Sequence, residues 1–299
     1  MLMTDEYETM TDEYGKPILV TRERPRVLDP LLNVERPTFR TLNLDDLEQL
    51  PEPEWLIDGV LPATSMTTLF GAPGAAKSFW ALDAALSVAT GHPFHGAVTK
   101  QGKVVYSLGE GIRGLKYRIE AWCLAHPTAD KDALRENFVV IPKAVHLLEQ
   151  HEASALINTI DSIGDVSLLI IDTFARALVG GDENSAGDVG LAVSVCDRVR
   201  DISGAATLIV HHTSAEGTKA RGSTALPGAS DAMLRMVKDD IQHVITVTCT
   251  KMKDGEPFKP LMYSLETYGH SAALLPKATT FGTEKFRGRS EGGYSGNPF

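Results

Sequence analysis

The 299-residue sequence predicts an α/β fold: a mostly parallel sheet covered by helices, with an antiparallel extension at its C-terminal end. Three observations carry this expectation. From "MTTLF" to "ATLIVHH", β-type apolar runs alternate with helical segments. The runs are apolar along nearly their whole length, the mark of strands buried on both faces. After residue 230 the pattern changes to alternating strands, "DAMLRMV", "HVITVTCTK" and "PLMYSLE", joined by short polar turns, as in an antiparallel meander.

Taken in order, residues 1–50 hold Pro17, Pro25, Pro30 and Pro37 among many charges and read as an extended arm. One short helix is expected there at "LDDLEQL", capped by Asn43 or Asp45. The core is expected over residues 51–270. "MTTLF" precedes the helix "SFWALDAALSVAT", which Gly91 stops, and "KVVYSL" precedes "GLKYRIEAWCLAH". "FVVIP" leads to "EASALINTIDSIG", "VSLLIID" to "AGDVGLAVSVCDRVRDISG", and "ATLIVHH" follows. Residues 271–299, rich in Gly and Ser, read as a flexible tail.

Composition excludes several classes. No apolar run approaches the roughly 18 residues of a membrane helix, and the acidic start lacks the basic-then-apolar order of a secretory signal. A cytoplasmic protein without membrane contact is the expectation. Cys123, Cys196 and Cys249 are widely spaced, which fits neither a disulfide framework nor a zinc site. The net charge of −10 argues against a uniformly basic surface, but basic residues gather in the second half, where local phosphate contact is decided.

The chemistry centres on "GAPGAAKS". A phosphate-binding loop needs a strand, glycines that let backbone N–H groups face inward, a lysine for the β- and γ-phosphates, and a hydroxyl for Mg²⁺ as a helix begins. Here Gly71, Ala72, Pro73, Gly74, Ala75 and Ala76 form the loop, Lys77 and Ser78 open the helix, and Phe79 follows. Ala76 stands where glycine is usual; at a helix start a right-handed backbone is expected, in which alanine is favourable. Gly74 is available for any positive φ.

ATP hydrolysis with Mg²⁺ also requires carboxylates at nearby strand ends. "VSLLIID" ends in Asp172, a candidate metal partner with Ser78, and "VVYSLGEG" ends in Glu110, flanked by glycines and a candidate base for the attacking water. "ATLIVHH" ends in His211 and His212, of which one can face the nucleotide because neighbouring strand residues point to opposite faces. His211 is the expected γ-phosphate sensor. "GGDENSAGD" lacks the spacing of a Ca²⁺ loop and reads as a cap for the following helix, with Asn184 or Ser185 near its start.

Together "GAPGAAKS", "YSLGEGIRGLKYRIEAW", "LLIIDTFARALVGGDENSAGDVG", "LIVHHTS", "ARGSTALPGASDAMLRM" and "TKMKDGEPF" resemble, in this order, the RepA-type branch of RecA-like P-loop ATPases, the plasmid and phage hexameric replicative helicases related to the DnaB type. The resemblance spans residues 51–268. It implies a homo-oligomeric, hexameric ring with ATP between neighbours, central loops on single-stranded DNA, and a replication loader or primase as partner. It assigns Lys77 and Ser78 to phosphate and Mg²⁺, Glu110 to catalysis, Asp172 to the metal and His211 to sensing. A basic finger from the neighbouring subunit would be Lys251, Lys253 or Arg235; "TKMK" offers lysines where DnaB-type relatives carry a Lys-x-Arg pair, without arginine's bidentate fork. "TSAEGTKARGST" matches a DNA-facing loop, making Lys219 and Arg221 candidate contacts to the DNA backbone. Three functions stay open: a DNA translocase or helicase, a RecA-like recombination mediator that remodels without unwinding, and a nucleotide-gated regulatory ATPase.

Overall fold

The computed structural model describes residues 7–11, 17–21, 41–50, 52–214 and 216–277. They fall into two units, Met1–Glu52 and Pro53–Phe299. In the first, β1 (Tyr7–Thr11) and β2 (Pro17–Thr21) pair antiparallel, and α1 (Leu44–Glu48) follows. Asn43 caps α1 as expected: its Oδ1 accepts from Asp46 N at 2.9 Å, and Asp46 Oδ2 accepts from Asn43 N at 3.0 Å. The rest of the expected arm, and the expected tail beyond Lys277, lie outside the described residues.

The second unit begins with the short pair β3 (Trp55–Ile57) and β4 (Leu61–Pro62). Next come β5 (Met66–Gly71), α2 (Lys77–Thr90), β6 (Lys103–Leu108), α3 (Ile112–Ala125), α4 (Lys131–Asn137), β7 (Phe138–Ile141) and α5 (Gln150–Ile163). They are followed by β8 (Val166–Asp172), α6 (Phe174–Ala177), α7 (Ala186–Ser203), β9 (Ala206–His212) and α8 (Ala225–Ala229). The chain ends in β10 (Ala232–Asp239), β11 (Val244–Met252), β12 (Leu261–Tyr268) and β13 (Ser271–Pro276). The sheet thus runs six residues into the stretch expected to be tail.

Nine strands form one sheet in the order β13-β12-β11-β10-β5-β9-β8-β6-β7. Pairings from β10 through β7 are parallel, and β10–β11, β11–β12 and β12–β13 are antiparallel. The mostly parallel sheet with its antiparallel C-terminal end is therefore as expected, with one refinement: β10 itself still runs parallel to β5. The close fit of this pair explains Gly71, because a Cβ there would collide with the Met236 carbonyl.

All six residues of β5 are buried, as are six of seven in β8 and β9, which accounts for their uninterrupted apolar sequences. Alternation divides the core in two. One cluster joins α2, Leu115 and Trp122 of α3, and Leu134 of α4 to Leu208 and Val210 of β9; the other joins α5, α6 and α7 to Leu169, Ile171 and Ile209. Among the described residues no helix is long and apolar enough to cross a membrane.

Candidate nucleotide site

The central parallel strands β5, β6, β8 and β9 end on the same side, so their following loops gather at one edge. The loop between β5 and α2 carries the glycines. Gly74 has φ +79°, as anticipated, but Ala76 has φ 67° and ψ 22°. This corrects the expectation of a right-handed Ala76. The chain enters α2 through a left-handed residue, which costs a non-glycine about 1–2 kcal/mol. The Ala76 side chain packs against the apolar cluster around α2, and its carbonyl starts the helix by accepting from Phe79 N at 3.0 Å and Trp80 N at 3.1 Å. No side chain caps α2, so the N–H groups of its first turn have no side-chain acceptor, the arrangement in which an anion is favoured.

Lys77 is only 6% exposed. Its Nζ donates to the carbonyls of Gly71 at 2.9 Å and Ala72 at 2.8 Å. Burial lowers its pKa, and the nearby Asp172 charge opposes that shift. Asp172, 2% exposed, accepts from the Tyr106 hydroxyl at 2.8 Å through Oδ2, whereas its buried Oδ1 has no hydrogen-bond partner. Burial raises the Asp172 pKa against the Ser78 and Tyr106 hydroxyls and the Arg118 charge, which favour the carboxylate. A buried carboxylate oxygen without a partner, beside a serine hydroxyl and a phosphate loop, fits a hard cation such as Mg²⁺.

Glu110 follows β6 between two glycines. Gly109 N donates to the Asp172 carbonyl at 2.7 Å, and a Cβ on Gly109 would press on Arg176 and Ala144 at 3.0–3.2 Å. The exposed Glu110 carboxylate lies 3.5 Å from the Arg176 guanidinium. With Lys77, Ser78, Phe79, Arg118 and His212 it lines a cleft of about 280 Å³. Four of the expected site residues, Lys77, Ser78, Glu110 and Asp172, are thus brought together.

His211 is not among them. It belongs to the face of β9 that packs on α6: it is 1% exposed, its ring meets Phe174 edge-on at 5.4 Å, and its Nε2 donates to the Arg221 carbonyl at 2.9 Å. His212 shares the α2 side with Leu208 and Val210, so of the two histidines it is His212 that lines the cleft. Burial lowers the pKa of both, and for His212 the Lys77 charge adds to the shift.

The basic candidates also divide. Lys251 Nζ donates to the carbonyls of Pro227 at 3.0 Å and Ser230, with Gly228 at 3.4 Å, so it closes the C-terminal end of α8 and is not a free finger. Arg235 sits beside its own phosphate loop, in a hollow of about 350 Å³ with Ala72 and Ala75, and donates through Nε to the Gly217 carbonyl at 3.1 Å. Arg235 thus lies beside the phosphate loop of its own subunit. Lys253 is 64% exposed and only loosely paired with Asp231 at 3.5 Å. Lys219 is exposed, whereas Arg221 is paired through two nitrogens with Glu183.

Sequence reasoning missed Tyr106, Arg118 and Glu183. Arg118 stacks over the Phe79 ring at 5.0 Å, giving the cleft a cation above an aromatic. Ser185 caps α7 by accepting from Asp188 N at 3.2 Å, as the reading of that loop expected.

No curated protein matches the chain. Among solved structures, a KaiC-like protein from the hyperthermophilic archaeon Pyrococcus horikoshii OT3 is similar at 15% identity and TM-score 0.52, over 74% of this chain and 94% of that one. The RadB recombinase is similar at 13% identity and TM-score 0.50, over 68% and 87% of the two chains. At these identities the likeness is one of fold, and the fold is RecA-like. An AAA domain family matches residues 33–218, more than half of the sequence, and the chain belongs to that family.

Proposed function

We propose that this protein is a magnesium-dependent ATPase that works as a ring-forming, hexameric translocase or helicase on single-stranded DNA in phage or plasmid replication. The observation that carries the ATPase is the convergence of Lys77, Ser78, Glu110 and His212 on one cleft at the start of an uncapped helix, with Asp172 buried beside Ser78.

Each residue has a task set by its surroundings. The α2 N-terminus and Lys77 bind phosphate; on binding, Lys77 exchanges its two carbonyl contacts for phosphate oxygens. Ser78 and Asp172 would hold Mg²⁺, which would neutralise charge on the phosphate oxygens. Glu110, exposed at the cleft, orients the attacking water and takes up its proton. His212, neutral at pH 7 because burial lowers its pKa, offers a hydrogen bond at the far wall of the cleft. Phe79 and Arg118 provide a stacking surface for the base.

The DNA part of the proposal draws on the ordered sequence resemblance and on exposed Lys219 in the loop after β9. A second reading, a RecA-like ATPase that remodels DNA without unwinding it, draws on the internal engagement of Arg221 and Lys251, which leaves fewer cations for a strand. ATP hydrolysis with and without single-stranded DNA, then forked-duplex unwinding, for wild type and Lys77→Ala, tests both. DNA-stimulated hydrolysis with unwinding supports the motor; stimulation without unwinding selects the remodeller; no DNA response leaves a nucleotide-gated regulator. Equal hydrolysis by Lys77→Ala refutes the site itself.

A further inference from the structure

The segment "GGDENSAGD" does more than cap α7. Its Glu183 forms a joint with the loop after β9. Arg221 donates to both Glu183 carboxylate oxygens, from Nε and, at 2.9 Å, from Nη2. This is the planar two-bond fork that lysine lacks. The backbone repeats the contact: Ser223 N donates to the Glu183 carbonyl at 2.8 Å, and a Cβ on Gly222 would collide with that same carbonyl. Glycine is therefore required beside Arg221, where φ is also +87°.

On its other side the Arg221 peptide is bonded to both histidines. Its N–H donates to the His212 carbonyl at 2.9 Å, and its carbonyl accepts from His211 Nε2 at 2.9 Å. His212 lines the phosphate cleft, and Thr213 N, next along the chain, donates to the Gly71 carbonyl at 3.2 Å, the carbonyl that also holds Lys77. Glu183 itself is anchored by the turn before α7, where Asp182 N donates to Asp188 at 2.8 Å. A continuous set of bonds therefore runs from the start of α7, through Glu183 and Arg221, to the histidine at the phosphates.

We propose that Glu183 and Arg221 are positioning residues of the phosphate site: their ion pair fixes the loop after β9 so that His212 stays at the cleft, and Arg221 is committed to this joint instead of a DNA phosphate. This rests on the ATPase reading above. Lys219, exposed on the same loop, is left as its DNA-facing cation.

The test uses Glu183→Gln, Arg221→Lys and the reversed pair Glu183→Arg with Arg221→Glu. In the single variants kcat for ATP falls about tenfold, the scale of a misplaced catalytic group. KM stays within about twofold, because Lys77 and Ser78 are untouched. The reversed pair, which restores opposite charges at the two positions, regains at least half of the lost kcat; it is the fall in kcat at unchanged KM that a merely structural role does not produce. Unchanged kcat in the single variants, or no recovery in the reversed pair, overturns the proposal. Single-stranded DNA binding is then measured against salt: Lys219→Gln lowers the slope by about 0.7, the value for one phosphate contact, and Arg221→Gln leaves it at the wild-type value. A drop in Arg221→Gln places Arg221 on DNA and overturns the proposal. Amide hydrogen exchange without nucleotide separates the two readings: residues 221 and 223 exchange faster in Glu183→Gln. Wild-type exchange there refutes the joint even if ATP is hydrolysed. Faster exchange in a protein that hydrolyses no ATP sustains the joint and refutes the ATPase reading instead.

Discussion

The Tyr106 hydroxyl donates to Asp172 Oδ2 at 2.8 Å, and both side chains are buried. This bond takes up one carboxylate oxygen and leaves the unpartnered Oδ1 as the oxygen available to a cation. Such outer contacts fix the orientation of a metal partner and typically carry 10–100-fold of metal affinity. In Tyr106→Phe, which keeps the ring and its packing, the Mg²⁺ concentration for half-maximal binding of a fluorescent ATP analogue rises about tenfold, and metal-free nucleotide binding is unchanged. An unaltered Mg²⁺ requirement would remove Tyr106 from the site.

Ala76 holds a left-handed backbone at the entrance to α2. Glycine there removes about 1–2 kcal/mol of steric cost. It also restores about 0.4–1 kcal/mol of freedom to the unfolded chain, so the two effects partly cancel. Ala76→Gly is therefore more stable by roughly 0.5–1 kcal/mol, read as a higher urea midpoint with unchanged slope. A destabilised variant would show that packing of the Ala76 methyl outweighs the backbone cost.

How much of this was legible in the sequence depends on what each feature rests on. Lys77, Ser78, Glu110 and Asp172 were legible because each sits at a strand end or helix start marked by an apolar run and flanking glycines. The parallel sheet was legible from the same runs. His212 was not, since alternation says that two adjacent histidines face opposite sides but not which side carries α2. Ala76 misled because residue preference describes a helix interior, and this position is the turn before one. Lys251 and Arg221 carried the charge that a DNA or phosphate contact needs, and only the fold reveals that α8 and Glu183 already occupy them.

Lys251 gives the third prediction. Its ammonium serves three carbonyls at the end of α8, and leaving a buried acceptor without its donor costs about 1–3 kcal/mol. Lys251→Met keeps most of the stem and leaves those carbonyls without their donor. Stability falls by about 1–3 kcal/mol in chemical denaturation, and the kcat of ATP hydrolysis at 20 °C stays within about twofold of wild type. A stable protein with abolished hydrolysis would instead restore Lys251 as a finger acting on a neighbour.

The last prediction concerns pH. His92, His211 and His212 all have pKa values below the ordinary 6.5, because burial disfavours the imidazolium; His126 beside His92 and Lys77 near His212 add to the effect. As pH falls through about 6.5, the unfolded chain takes up protons at these positions before the folded chain does, so stability decreases. Asp172 acts in the opposite direction, since its raised pKa lets the folded state bind a proton first, but it is one group against three. The lowered carboxyls of Glu54, Glu152 and Asp240 act only in the acid range. Between pH 8 and pH 5.5 the histidines therefore set the slope. Urea midpoints should fall steadily over that interval, and His92→Gln should flatten the fall without touching the phosphate cleft. A midpoint independent of pH between 8 and 5.5 would mean that these imidazoles take up protons as readily in the folded as in the unfolded chain.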